Sequence, residues 1–363
     1  MRRIDPTSGR RLAIVAAAVA TLVQAGPAPA APAFQIVTSG SGVLFGGSLS
    51  ADGSTVLYTR ATSASTVAVF DVATGQQTPI ASTPQTFGAW MSVDGSIVHV
   101  QTISGAFELA NGSVTPIATG QPFANPLPED VPPAIADLPG GGSSTTPLDF
   151  SPDGSVVVGV GSSGSGREAF RWEADVTLGL GDLAGGAFES EAHGVSADGT
   201  TVVGWGTTAA GREAFRWRGG ALVSLGDLPG GSVSSEAHGT SADGSIVVGR
   251  ATEAGEDSRA FVWDDANGLR DLGIALAALG IDLEGVALRS ALAISSDGRT
   301  IMGIGFQGDV PDATYPGGLR PGAGDLVWVA VIPEPTTAVL LGLGLVLRAA
   351  MPAAKQRERS RDR

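Results

Sequence analysis

Two histidines carry the first hint of chemistry. His193 and His238 stand 45 residues apart, each two positions after a glutamate (Glu191, Glu236), inside the same pentapeptide SEAHG. Imidazole nitrogens helped by carboxylates could hold Zn²⁺ if the two positions converged in space. Duplication also copies indifferent strand residues, and that is the reading adopted: no metal is expected, with His193 and His238 the candidates should one bind. His99 stands alone in a divergent stretch and suggests nothing.

A second group is the heptapeptide GREAFRW, at Gly166–Trp172 and again at Gly211–Trp217. Arg167, Glu168, Arg171 and Trp172, with Arg212, Glu213, Arg216 and Trp217, could form a sugar-binding face by ring stacking and bidentate hydrogen bonds. Strand alternation favours another role, with Phe170, Trp172, Phe215, Trp217, Phe261 and Trp263 as core and the charges pointing outward. The acid pairs Glu129-Asp130, Glu256-Asp257 and Asp264-Asp265 are sequence neighbours, so their side chains diverge and do not suggest a glycosidase dyad. No serine-nucleophile motif, Walker loop or Rossmann fingerprint occurs, and the LPGG turns at Leu138–Gly141 and Leu228–Gly231 precede no helix that could bind phosphate. No catalytic residue is assigned.

A third group sets the architecture. An Asp-Gly pair recurs at Asp52-Gly53, Asp94-Gly95, Asp153-Gly154, Asp198-Gly199, Asp243-Gly244 and Asp297-Gly298, always with Ser two residues before the Asp. None lies in a D-x-D-x-D-G run, so dedicated calcium loops are not expected, and weak Ca²⁺ binding by the acidic surface is the most these residues imply. Asp-Gly predicts a type I′ hairpin turn with both central residues at positive φ. The intervals of 42, 59, 45, 45 and 54 residues are those of propeller blades. One unit reads as four strands: Ser190 to Ser196, Thr200 to Gly206, Glu213 to Arg218 and Leu222 to Asp227. The expected fold is all-β, a propeller of about six four-stranded blades, closed by Phe34 to Thr38 beside Leu326 to Ile332. Gln121 to Ile135, with five prolines, is an inserted loop or a linker; Leu272 to Leu283 is a short helix; Gln307 to Gly324 is a long surface loop.

Composition agrees with short strands and tight turns: 53 Gly and 22 Pro in 363 residues, with only 16% charged. There is no Cys, so disulfides and thiolate metal sites are excluded. Between residues 34 and 332, 12 arginines and no lysine face 32 acids, a net charge near −20. Such a surface repels phosphate backbones, and nucleic acid is excluded as a partner.

The two ends differ from the body. Residues 1–33 read as a secretory signal: Arg2, Arg3, Arg10 and Arg11, then the apolar stretch Leu12 to Val23, then small residues and Pro from Gly26 to Ala33. A signal anchor is the alternative. At the other end Pro333, Glu334 and Pro335 precede the apolar run Ala338–Leu347, which is followed by Arg348 and a basic tail to Arg363. Ten apolar residues fall short of the ~20 a spanning helix needs. Counting from Thr336 to Ala350 and letting Arg348 snorkel gives a marginal span; a frayed tail is the alternative.

That order of parts resembles the PEP-CTERM sorting signal of Gram-negative surface proteins. The resemblance implies a short C-terminal transmembrane helix that parks the chain in the inner membrane, with an exosortase-type enzyme cleaving near Pro-Glu-Pro. From Ala136 to Ile332 the repeats are similar to extracellular HAF repeats, with Glu168, Glu213 and Arg259 where that family has His; Phe34 to Gly120 looks more like generic WD-type blades. The expected organisation is a signal peptide (1–33), a propeller (34–332: divergent blades 34–120, insertion 121–135, HAF-like blades 136–332) and a sorting segment (333–363, with apolar core 338–347 and basic tail 348–363). The expected function is a non-enzymatic protein of the cell surface or matrix that binds polysaccharide, cations or other surface proteins. The alternative is a secreted carbohydrate-active enzyme using the propeller channel.

Overall fold

The computed structural model describes residues 33–39, 43–61, 65–83, 86–91, 97–102, 105–110, 113–117, 135–142, 144–253, 258–308, 310–311, 319–320 and 324–332. The signal segment, Asp94-Gly95, nearly all of the proline-rich insertion and the sorting segment with Pro333, Glu334, Pro335 and Arg348 lie outside these residues. Among the described residues no helix is long and apolar enough to cross a membrane.

The chain opens with β1 (Ala33–Ser39) and then lays down consecutive four-stranded antiparallel units, the third to fifth of which are joined into one 12-stranded sheet by the parallel pairings Arg167–Glu189 and Arg212–Ser234. The first is β2 (Val43–Leu49), β3 (Thr55–Ala61), β4 (Ser65–Asp71) and β5 (Gln77–Thr83). The second is β6 (Thr86–Met91), β7 (Ile97–Thr102), β8 (Gly105–Ala110) and β9 (Ser113–Ile117). The third is β10 (Thr146–Phe150), β11 (Val156–Ser163), β12 (Gly166–Glu173) and β13 (Val176–Gly181). Next come β14 (Gly185–Val195), β15 (Thr201–Thr208), β16 (Arg212–Arg218) and β17 (Ala221–Gly226), then β18 (Gly230–Thr240), β19 (Ile246–Glu253), β20 (Ser258–Asp264) and β21 (Gly268–Asp271). After helix α1 (Leu272–Ala278), the last sheet is built from β22 (Ala287–Ile294), β23 (Thr300–Gln307) and β26 (Gly324–Val331), with the bridge pair β24 (Val310–Pro311) and β25 (Leu319–Arg320) inserted between the second and third of these. Its fourth strand is β1, antiparallel to β26 with Phe34 opposite Ala330 and Ser39 opposite Leu326. The described residues thus form a six-bladed β-propeller whose first and last strands close one ring.

The blades hold together by face-to-face burial, since no single sheet can cover both its apolar faces. Val156, Val158, Val202 and Phe215 form one inter-blade core, Val203, Val247, Phe261 and Trp263 the next, and Val37, Phe70, Met302 and Val329 join the last blade to the first. Inside each of the last four blades a glycine of the second strand faces an aromatic of the third: Gly159 and Phe170, Gly204 and Phe215, Gly249 and Phe261, Gly303 and Trp328. A Cβ at Gly204 would lie 1.9 Å from the Glu191 carbonyl, so the strand approaches its neighbour too closely for any side chain.

The Ser-x-Asp-Gly turns differ from the expected type I′ form. Gly53, Gly154, Gly199, Gly244 and Gly298 lie at φ +67 to +74°, whereas the Asp before each stays at negative φ. Each Gly N–H donates to the Ser carbonyl at 2.8–2.9 Å, giving a turn that starts at Ser and leaves only Gly left-handed. The serine is why: its Oγ donates to the Asp carboxylate at 2.6–2.7 Å and accepts the N–H five residues on, which widens the loop to four residues. These hydroxyls hold Asp153, Asp198 and Asp243 below the usual carboxylate range.

Adjacent turns are stitched together. The Ala197 N–H donates to the Ala242 carbonyl (3.0 Å), Ala242 to Ser296 (2.9 Å) and Ser296 to Ala51 (2.7 Å). The result is a backbone belt that links four of the blades, the fourth, fifth, sixth and first, at one end of the ring axis. In the third blade the corresponding residue is Pro152, which has no N–H to give its neighbour.

Two smaller expectations are corrected. Helix α1 stops at Ala278 rather than Leu283, because Leu279 caps it and Gly280 follows at φ +79°. The stretch Gln307 to Gly324 is not purely a loop, since it contains the β24–β25 bridge.

Candidate functional site

The innermost strands of the six blades, β2, β6, β10, β14, β18 and β22, surround a central cavity of about 500 Å³. What enters it is decided by β-bulges. One register shift in each of β10, β14, β18 and β22 leaves a single residue unpaired beside the cavity: Leu148, His193, His238 and Leu292 respectively. Bulges re-aim side chains, and here they place two imidazoles between two leucines at one level of the channel.

The sequence-singled histidines therefore converge. Their rings stack 5.9 Å apart at 28°. His193 Nε2 lies 3.3 Å from Glu191, His238 Nε2 lies 3.7 Å from Glu236, and His238 Nδ1 sits 2.9 Å from the Ala291 carbonyl of the next blade. Among the described residues no group of three or more His, Asp or Glu side chains is arranged to hold a metal ion.

Toward the mouth the two glutamates meet arginines of the preceding blade. Glu191 accepts from Arg167 Nε and Nη2 at 2.9 and 2.6 Å, and Glu236 accepts from Arg212 and from Arg250 of its own sheet, the latter at 2.9–3.0 Å. Burial disfavours the charged form of both glutamates, but His193 and Arg167 hold Glu191 below the usual range, and His238, Arg250 and Arg212 hold Glu236 far below it. Each glutamate is thus a fixed anion at neutral pH, while the arginines stay 40–51% exposed. Arg212 also lies 3.7 Å over the Trp205 ring. Beside Arg167 a side pocket of about 270 Å³ is lined by Ser144, Thr146, Ser162, Leu148 and Glu191, so Glu191 bridges it to the channel.

The charges of GREAFRW do not simply point outward. Arg171 and Arg216 fold over Trp217 and Trp263 of the next blade, 6.0 and 4.5 Å from the ring centres. Arg171 also reaches the Gly199 carbonyl (3.0 Å), and Arg216 pairs with both oxygens of Asp265 (3.0 Å). Of the two tryptophans considered for sugar stacking, Trp217 is therefore covered by a blade-to-blade cation–π contact. Phe170, Phe215 and Phe261 are fully buried, Trp172 and Trp263 nearly so, and Trp217 half-buried.

Two site residues escaped the sequence reading. Asp149 lines the channel where the next two blades have Gly194 and Gly239; it is partly buried, and burial pushes its carboxyl up to about 6 despite the N–H of Val195 at 2.9 Å. Arg250 stands where Trp205 and Val160 occupy the same register. The detectable signal was a departure from the 45-residue repeat at a fixed position.

Neither a protein-family profile nor a curated protein matches the chain. Solved structures similar to it include TolB from Acinetobacter baumannii (14% identity, TM-score 0.42), where the match covers 77% of this chain and 64% of that one. Others are the β-propeller domain of the Trilobed protease from Pyrococcus furiosus (10%, TM-score 0.37, covering 73% and 78%) and an oligogalacturonate lyase in complex with manganese (12%, TM-score 0.41, covering 84% and 97%).

Proposed function

We propose that this is an exported, non-catalytic binding propeller of the cell surface, and that it holds a neutral polysaccharide at the mouth of its channel. The observation that carries this reading is the duplicated arginine–glutamate–histidine set: Arg167, Glu191, His193 and Arg212, Glu236, His238. A guanidinium beside a carboxylate offers donors and acceptors at the spacing of vicinal hydroxyls, and Leu148 supplies an apolar platform between them and the side pocket. The same pairing removes these glutamates from proton transfer, because a general acid needs a raised pKa and both are lowered. The acidic body disfavours polyanions, hence a neutral ligand. Delivery follows from the resemblance of the two ends to secretory and PEP-CTERM signals, with an exosortase-type enzyme as processing partner and the inner membrane as a transient station.

One observation favours the enzyme reading: Asp149, a carboxyl with its pKa near 6 inside the channel, has the protonation behaviour of a general acid. A glycan panel separates the two. Retention of a polysaccharide without release of reducing ends supports binding, whereas release that disappears in Asp149→Asn would establish catalysis. Mass spectrometry of the surface-exposed protein tests processing, since an intact chain still carrying Arg348 would sink the sorting proposal.

A further inference from the structure

Three successive blades fill one diagonal pair of positions, on their second and third strands, in three different ways. Diagonal neighbours on one face of a sheet lie within reach of aromatic and long side chains. In the fourth blade the pair is Trp205 and Arg212: the guanidinium carbon lies 3.7 Å from the ring centroid, and the tryptophan beneath it is only 2% exposed. In the fifth blade the same places hold Arg250 and Ser258, so neither ring nor capping arginine is present, and Arg250 turns to Glu236. In the third blade they hold Val160 and Arg167. The arginine is kept there and is paired with Glu191 as Arg212 is with Glu236, but the ring is replaced by a small aliphatic side chain.

The neighbouring strand is trimmed in step. Trp205 pairs across the sheet with Glu191, whereas Val160 pairs with the shorter Thr146. The space so opened is the side pocket of about 270 Å³, whose lining includes Val160, Thr146 and Arg167 themselves. Arg167 bonds Glu191 through Nε and Nη2. Such N–H bonds lie in the guanidinium plane and leave its faces free to stack. The pocket also holds the hydroxyls of Ser144, Thr146 and Ser162, which make no hydrogen bond among the described residues.

We infer that the side pocket binds a neutral aromatic ring carrying an N–H or O–H, an indole or a phenol, in the place that Trp205 fills one blade on. Arg167 covers its face, Val160 and Leu148 meet its carbon edge, and the three hydroxyls receive its polar hydrogen. A guanidinium is drawn to the quadrupole of an aromatic face, which a saturated sugar ring lacks. The net charge near −20 of the body disfavours an arene bearing a carboxylate. The same ring can come from a tryptophan or tyrosine side chain of a polypeptide or from a free small molecule. This inference stands beside the polysaccharide reading and does not need it.

Ligand-observed NMR titration of the protein tests it with one probe for each source. The peptide Gly-Gly-Trp-Gly-Gly is compared with its cyclohexylalanine counterpart, and 2-naphthol with decahydro-2-naphthol, which keeps the hydroxyl and loses the aromatic face. Saturable binding of at least one arene with a Kd at or below about 1 mM is expected. Its saturated counterpart should bind at least about threefold more weakly. Binding of both arenes marks the ring itself as the recognised group; binding of the peptide alone marks a polypeptide source, and of 2-naphthol alone a small molecule. Val160→Trp supplies the pocket with the protein's own indole and should lower the affinity at least tenfold without lowering the denaturation midpoint. Arg167→Gln keeps a donor for Glu191 but removes the cation and should lower it about three- to tenfold, which decides the matter if the tryptophan variant does not fold. Equal affinity for arene and saturated ring, unchanged affinity in either folded variant, or no saturable binding of either arene would overturn the assignment. Glycan retention is measured on the same samples, so that the loss of one reading leaves the other standing.

Discussion

The two ends of the channel obey opposite rules. At the belt, the same three residue types, Ser, Asp and Gly, recur from blade to blade, and the contacts are made by backbone, serine hydroxyls and aspartates that satisfy one another. At the mouth, the register is kept but the residue changes: Val160, Trp205 and Arg250 share one position, and Leu148, His193, His238 and Leu292 share another. A repeat fold keeps constant what builds each sheet–sheet joint and is free to vary what only faces the cavity. Variation inside a fixed register is therefore the mark of the functional end.

Substitutions should sort by end. The largest expected loss is at the belt: Gly244→Val forces a β-branched residue to φ +70° and drives its Cβ into Thr201, and chemical denaturation should show a loss of about 3 kcal/mol or more. Next comes a gain at the channel wall. The folded-state pKa of Asp149 is raised to about 6 from 3.8, so its favourable contribution is complete below pH 3.8 and lost as pH rises through 6. Asp149→Asn should therefore raise stability at pH 7–8 by up to about 3 kcal/mol, with the difference vanishing below pH 4.

Ser196→Ala should cost about 1–2 kcal/mol, because it strands the buried Thr201 N–H. Arg167→Met, half-exposed at the mouth, should change stability by less than about 1 kcal/mol yet abolish retention of the glycan. A mouth variant that unfolds the ring, or a belt variant that weakens only binding, would erase the contrast. A pH scan sharpens it further. Glu191 and Glu236 have lowered pKa values, so their stabilisation is present above 4.5 and lost on acidification, whereas that of Asp149 declines from 3.8 and is lost as pH rises through 6; the stability maximum is expected near pH 4.5.

The blades were legible because each carries local signals repeated at a near-constant interval: Ser-x-Asp-Gly closes the first hairpin, and the glycine-interrupted valine strand marks the second. The turn type was misjudged because the dipeptide was read without its serine, whose hydroxyl competes for the same backbone groups. The stacking of Arg171 and Arg216 on the next blade's tryptophans was invisible because strand alternation describes one sheet and says nothing of the sheet beside it. The aim of the histidines depends on bulges, and a bulge is a one-residue mismatch between two strands that neither strand announces alone.

The clasp between β1 and β26 has an orientational consequence. Ala33 pairs with Val331, Val331 also pairs with Thr300 just past the Asp297-Gly298 turn, and the Ile332 N–H binds the Arg299 carbonyl. Both flanks of the ring thus depart side by side from the belt face of a single blade.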